Sequence, residues 1–452
     1  MSARYDLVVI GGGAGGEAAA SLAAESGASV ALVERDLLGG ECGFWACIPS
    51  KSLINSANLH ALGADYPWDR ASKRRDWIIA REGLDYPDDS HHVQRLKDAG
   101  GVLVRGTAKI TDKGTVQVER DGSTELLAAT NIIVSTGSVP VIPAIEGLVE
   151  AGYWTNRQAT SLRILPTSIV VLGGGPVGIE LAQVYARFGT KTSVVEGNDR
   201  ILARDHPKSS MVVADRLKRE GIDLRLGVKA QKVSVADGKK VVHLSDGTTA
   251  SGAELLVAVG RRPSDVRSIG IENAGVVLDE RGVVQPDGQM RVGDHIFVAG
   301  DVAGGLQFTH VADYQGRVAA RAALGSKAIA NMATVPKATF TEPETAAVGL
   351  TEEEAHGGGF DAFEVSTDFA QSARGQALEG SEGHITVTVD RERKVLIGAF
   401  AACPGAADII HEATLAIRQG IPVSVLSDTI HAFPTGSRVF GVLMWDAQKR
   451  LG

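Results

Sequence analysis

The sequence predicts an α/β protein in which one parallel-sheet unit is inserted into another and an α+β domain follows. Three observations predict it. Leu7–Glu34 and Ile169–Glu196 align without a gap over 28 residues, with 11 identities. Short apolar runs of the kind buried in parallel sheets recur at Asn131–Gly137, Glu254–Gly260 and His295–Asp301. Beyond Val335 the pattern changes: strand-like Gly383–Asp390 and Val395–Ala401 precede a helical stretch, Asp408–Gln419.

Leu7–Glu34 reads as an apolar strand, a glycine turn, an Ala-rich helix, the breaker Gly27 and a second strand ending in an acid. Ile169–Glu196 repeats that order with Gly189 as breaker. This is a βαβ unit written twice. Two copies so far apart imply two Rossmann-like domains, not a solenoid. The expected limits are 1–161 and 283–335 for the first domain, 162–282 for the inserted second, and 336–452 for the last. Leu59–Arg95 is polar, expected to be helical in part, and carries no motif.

Composition narrows the function. Glycine supplies 54 of 452 residues, well above the typical ~7%, which marks tight turns and close backbone approach. The net charge of -8 argues against a nucleic-acid partner, because phosphate binding needs a basic face. No apolar run approaches the ~18 residues of a membrane span. Three cysteines do not make a secreted disulfide scaffold. A cytoplasmic protein without a membrane partner is expected.

The glycine turns carry the first chemistry. Gly11-x-Gly13-x-x-Gly16 follows a strand, opens a helix and is answered by Glu34. Gly173-x-Gly175-x-x-Gly178 is answered by Glu196. Such glycines let a backbone approach a pyrophosphate, helix N–H groups hold the phosphates, and the acid accepts from ribose hydroxyls. The acid at 196 repels a 2′-phosphate, so NADH is expected in preference to NADPH, although Arg200 follows closely. Two sites imply two nucleotides, and a flavin with a nicotinamide is the economical pair.

Gly39–Lys51 reads GGECGFWACIPSK. Pro49 suits a first helical turn, and a thiol at a helix N-terminus has its thiolate stabilised. Cys42 and Cys47 therefore read as a redox-active pair. A zinc half-site and two buried thiols are the alternatives, but zinc needs four ligands and no matching pair is obvious. No metal site is expected.

In combination, both fingerprints, the Cys42-x4-Cys47 motif with Pro49-Ser50-Lys51, Thr136-Gly137-Ser138, Gly260-Arg261-Arg262-Pro263, Ala299-Gly300-Asp301 and Phe340-Thr341-Glu342-Pro343 resemble the pyridine nucleotide–disulfide oxidoreductases. That family includes glutathione reductase, lipoamide dehydrogenase and mercuric reductase. The resemblance covers essentially the whole chain. It implies FAD at the first site, a nicotinamide at the second, and a homodimer that completes each active site with the partner's C-terminal domain. It places Gly40, Thr136, Gly137, Gly260, Arg261 and Asp301 among the cofactor-binding residues, with Asp301 at the flavin's ribityl and phosphate region. It implies a Lys51–Glu180 pair beside the flavin ring. Cys47 would be the flavin-proximal sulfur, and Cys42 would carry out interchange with a small-molecule acceptor.

The pattern breaks near the C-terminus. Disulfide-reducing relatives carry His-Pro-Thr, with a Glu shortly after. Here Phe433 stands for the His and Arg438 for the Glu. Phe cannot move a proton, and general acid–base catalysis typically contributes about 10²–10⁴-fold. His431, two residues earlier, is the candidate substitute if the segment is extended, but some lipoamide dehydrogenases carry a His at both positions, so His431 reads first as filling its ordinary place. Arg438 reads as a solvated charge or as an anion contact. Mercuric reductases add a C-terminal cysteine pair that this chain lacks, and 2-ketopropyl-coenzyme M carboxylase matches at Phe433 only in part. Cys403 reads as a buried structural thiol.

The leading expectation is an NAD(P)H-dependent FAD enzyme that reduces Cys42–Cys47 and passes electrons to an acceptor needing no His base. The alternatives are a quinone or metal-ion flavin reductase, a carboxylase-like reductive enzyme, and a non-turnover NADH-responsive flavoprotein.

Overall fold

The structure is a computed structural model that describes residues 3–452. The first sheet is built on Ala3–Ile10, whose last four residues are fully buried. Val30–Glu34 lies parallel on one side, with Leu7 opposite Val30 and Val102–Arg105 beyond it. Ser123–Val134 lies parallel on the other side, with Val8 opposite Ile132. After Val134 the chain builds the second nucleotide unit and then returns to this sheet, placing Ile296–Val298 beside Ser123–Val134. Continuous apolar strands suit this position because both faces are covered.

One strand is longer than its apolar run. The structure starts it at Ser123, not at Asn131, because its first half pairs antiparallel with Thr115–Arg120. That half is partly exposed, so it carries no apolar signal. The other two strands are shorter than expected, ending at Val257 and Val298 before their glycines turn.

Helix Ala14–Glu25 packs closely on helix Thr309–Ala323. A Cβ on Gly316 would lie 2.2 Å from the Gly15 carbonyl oxygen, so the approach needs glycine.

The second sheet orders Asp223–Leu226, Lys191–Glu196, Ser168–Leu172 and Glu254–Val257, all parallel. A three-stranded antiparallel sheet, Ala230–Gly252, accompanies it. The C-terminal sheet is antiparallel, with Val395–Ala402 between Thr345–Gly349 and His384–Asp390. Helix Gly436–Leu451 buries Val439, Phe440, Leu443, Met444 and Ala447, one helical stripe, in the core of that domain.

Two compact units emerge. One holds the chain up to Ser52, Ser72–Val141 and Gly260–Asn331. The other holds Leu53–Ala71, Ile142–Val259 and Met332–Gly452. No helix among the described residues is long and apolar enough to cross a membrane.

Candidate active site

In the first unit, Glu34 ends its strand beside the glycine turn. One carboxylate oxygen accepts the Gly12 N–H at 2.7 Å and the other the Asp36 N–H at 2.7 Å. Gly39 donates to the Gly12 carbonyl at 2.7 Å, so the turn before the cysteines rests on the fingerprint turn. Gly40 has φ +62°, and a Cβ there would meet the Gly13 Cα at 2.8 Å. A Cβ on Gly13 would meet nothing within 4 Å. Together these make an open backbone cradle at the N-terminus of a helix, which fits a dinucleotide pyrophosphate. Glycines at 11 and 16 close the helix onto the strand: a Cβ on Gly16 would lie 1.9 Å from the Gly11 carbonyl oxygen.

Asp301, Ser138 and Arg261 meet beside it. The Ser138 hydroxyl donates to Asp301 and accepts from Arg261 Nε at 2.7 Å. Thr136 and Ser264 share a hydroxyl hydrogen bond of 2.6 Å, and Ser264 N–H donates to the Gly137 carbonyl at 3.0 Å, just past Gly260. Gln315 accepts the Gly300 N–H at 2.9 Å.

Cys42 lies in helix Gly40–Phe44, and Cys47 opens helix Cys47–Ala61. Both are half-buried free thiols. Thr309 Oγ1, on the first residue of its helix, donates to Cys42 Sγ at 3.1 Å and lies 3.3 Å from Cys47 Sγ. The hydrogen bond to Cys47, then burial, push the Cys42 thiol well above its ordinary value, against the pull of Thr309 and Lys51. Trp45 is buried between the two cysteines with Leu37, Phe44 and Ile79. Lys51 Nζ lies 3.4 Å from Ser50 Oγ.

The second unit repeats the acid-on-turn arrangement. Glu196 accepts the Gly174 N–H at 2.6 Å and the Asn198 N–H at 2.8 Å. Gly173, Gly175 and Gly178 form the matching turn, and a Cβ on Gly175 would also meet nothing. Arg200 is committed to its own loop, donating to the Ala203 and Asp205 carbonyls at 2.7 and 2.8 Å. Helix Pro176–Arg187 carries Glu180, which accepts the Phe340 N–H at 2.9 Å. Gln183 clamps the Glu342 backbone by both its N–H (2.8 Å) and its carbonyl (2.9 Å). Glu220 anchors the end of this helix. Burial would raise its carboxyl, but Arg187 and Arg216 outweigh that and hold it below its ordinary value.

His431 and Phe433 do not share a side. His431 turns inward, with Nε2 2.7 Å from Glu412 and Nδ1 3.0 Å from the Thr429 carbonyl, and its side chain is 5% exposed. Phe433 is 74% exposed. The segment is not a strand: it runs into a turn, and Thr435 then caps helix Gly436–Leu451 by accepting the Arg438 N–H. Among the described residues nothing hydrogen-bonds the Arg438 guanidinium. Cys403 is fully buried, and burial pushes its thiol up.

Sequence reasoning missed Thr309, Gln315 and Gln183, and named Ser138 only as part of a motif, without its bonds to Asp301 and Arg261. Thr309 and Gln183 reach their partners from far along the chain, and Thr309, Gln315 and Gln183 lie in no glycine or cysteine motif.

Comparison with known proteins shows the family and the fold. The family described as pyridine nucleotide-disulphide oxidoreductase matches residues 5–316, and its dimerisation domain matches residues 335–443. Dihydrolipoyl dehydrogenase of Geobacillus stearothermophilus is 33% identical, over 95% of this chain and 93% of its own. A mercuric reductase of Staphylococcus aureus is 29% identical, over 95% of this chain and 80% of its own. Among solved structures, the Cu(II) complex of the HOCl-induced flavoprotein disulfide reductase RclA from Escherichia coli superposes with TM-score 0.89 at 28% identity, covering 98% of this chain and 99% of the other.

Proposed function

The chain belongs to the pyridine nucleotide–disulphide oxidoreductase family, and from that premise we propose that it is an NADH-driven FAD enzyme whose Cys42–Cys47 disulfide passes electrons to an acceptor that needs no proton from a His base. The observation that carries this reading is the contrast between an inward, doubly bonded His431 and an exposed Phe433. Bound FAD supplies the two-electron relay between nicotinamide and sulfur.

The chain's own groups do the rest. Glu34 and the Gly11–Gly13 and Gly39–Gly40 turns hold the flavin nucleotide, with Thr136, Gly137, Gly260, Arg261 and Asp301 lining its site. Glu196 and the Gly173–Gly178 turn hold the nicotinamide nucleotide. Glu196 disfavours a 2′-phosphate, and the Arg200 guanidinium is committed to its own loop, which together favour NADH. Two electrons and one proton convert the disulfide into a Cys42 thiol and a Cys47 thiolate. The hydrogen bond to Cys47 and burial raise the Cys42 thiol, which suits Cys42 to carry the proton. Thr309 donates to the Cys42 thiol, and Lys51 and Glu180 are the two charged residues assigned to the flavin side, each on its own unit. The dimerisation domain brings the partner's C-terminal segment to the site, so Phe433 meets the acceptor as an apolar wall.

A thiophilic divalent metal ion is the acceptor that fits first. It can bind both sulfurs, and its reduction needs no protonated leaving thiol. The similar proteins include a mercuric reductase and a Cu(II)-bound flavoprotein.

The test is anaerobic titration with NADH, and in parallel NADPH, following the flavin spectrum. A long-wavelength thiolate–flavin band after two electrons is expected. Direct bleaching without the band, and quinone turnover equal in wild type and in the Cys42→Ser, Cys47→Ser double variant, would transfer the function to flavin-to-quinone reduction.

A further inference from the structure

The stretch that carries no motif, Leu59–Arg95, ends in a set of side chains aimed at the cysteine turn. Asp89 stands at the N-cap of helix Ser90–Asp98, where an aspartate ordinarily accepts a hydrogen bond from its own helix. It makes no such bond. Its carboxylate instead accepts the Leu38 N–H at 2.6 Å, 51 residues away, and Asp89 is 8% exposed. The same oxygen accepts from Arg105, which also donates to the Asp36 carbonyl. Neighbouring groups grip the same turn: Tyr86 donates to Asp36, Ile79 packs on Leu37, Phe44 and Trp45, and the His92 ring lies against Gly39 while its Nδ1 meets Glu17 at 2.8 Å.

The turn is unusual in needing outside support. Leu38 is fully buried, and Gly39 and Gly40 follow it with φ of +113° and +62°. No strand neighbour takes the Leu38 N–H, and a buried unpaired N–H is costly. The turn also matters for two sites at once. It rests on Gly12 and Gly13 of the fingerprint and leads, two residues past Gly40, to Cys42. A buried, charge-paired carboxylate is weak support for stability and better suited to selecting one conformation.

We infer that Asp89, neutralised by Arg105, is a positioning residue that sets the Leu38–Gly40 turn, and through it both the pyrophosphate end of the FAD site and the placement of Cys42 and Cys47. This rests on the reading of the first fingerprint as the FAD site. Asp89 touches neither cofactor nor sulfur.

The experiment compares wild type with Asp89→Ala, Asp89→Asn and the control Asp88→Ala, an exposed neighbour whose carboxylate accepts from Ser90. FAD affinity is read from flavin fluorescence on dilution, and the long-wavelength thiolate–flavin absorbance after two-electron reduction. Asp89→Ala should raise the FAD dissociation constant about tenfold or more, the size of losing one charge-assisted hydrogen bond. It should also at least halve the long-wavelength absorbance. Asp89→Asn, which keeps an acceptor for Leu38, should recover most of both, and Asp88→Ala should match wild type. An FAD dissociation constant within about twofold of wild type in Asp89→Ala overturns the inference, as does an equal loss in Asp88→Ala. If Asp89→Ala does not fold, Arg105→Gln serves: unchanged FAD affinity there also overturns it. If wild type itself shows no long-wavelength band, the dithiol reading of function fails, while the FAD arm still decides the role of Asp89.

Discussion

His431 Nε2 lies 2.7 Å from Glu412 Oε1, a His–carboxylate pair two residues from the place where relatives keep their catalytic base. The His431 ring of this pair packs against Gly441 of the last helix, and its side chain is 5% exposed. The first prediction is therefore asymmetric. His431→Gln should leave NADH-driven metal or quinone reduction within about twofold while lowering the melting temperature. Phe433→His should instead create or raise disulfide turnover by about tenfold or more, a fraction of what general acid–base catalysis can supply. Steady-state assays of both variants on a small disulfide check it. A collapse of metal reduction in His431→Gln would return His431 to catalysis.

The Thr309 hydroxyl bonds both thiols. Because it pulls the Cys42 thiol down, Thr309→Val should push it further up. At neutral pH the rate of Cys42 alkylation after reduction should fall several-fold, consistent with a hydrogen bond worth about 1 kcal/mol. The pH–rate profile of iodoacetamide labelling, read by mass spectrometry, is the measurement.

Nucleotide choice follows from Glu196 and the engaged Arg200. Wild type should favour NADH over NADPH by about tenfold or more in kcat/KM, and Glu196→Ser should narrow that ratio. Equal use of both nucleotides by wild type would contradict the assignment.

Stability should fall in mild acid because of His384. Burial, then His206 and Lys208, lower its pKa to about 3, and Glu364 opposes them only in part. The folded state keeps His384 neutral where the unfolded chain binds a proton, so the unfolded state holds more protons between its ordinary value near 6.5 and about 3. Stability is full above that window and is lost as pH falls through it, by up to about 1.4 kcal/mol per pH unit. His384→Gln should flatten the difference between urea unfolding at pH 7 and at pH 5.

Local chemistry was legible and long-range chemistry was not. The two glycine turns, the acids at 34 and 196 and the cysteine pair announce themselves because each is written within about thirty residues. Asp89, Thr309 and Gln183 act through bonds spanning 51, 267 and 159 residues, which no window of sequence contains. Asp89 even misleads locally, since a helix start explains it until its carboxylate is seen pointing elsewhere. The contrast at 431 and 433 was also hidden: alternation puts both on one side only in a strand, and the chain turns there.

Glu34 and Glu196 share one habit: each carboxylate is already bonded to the second glycine N–H of its turn and to a backbone N–H two residues beyond itself. Neither acid has to search for its position when a nucleotide arrives. On the proposed assignment of these acids to the riboses, both ribose ends are preorganised by folding, and little conformational entropy is left to lose on association. Recognition at these two ends is then a rigid docking step, and any slow adjustment in the catalytic cycle belongs elsewhere in the molecule.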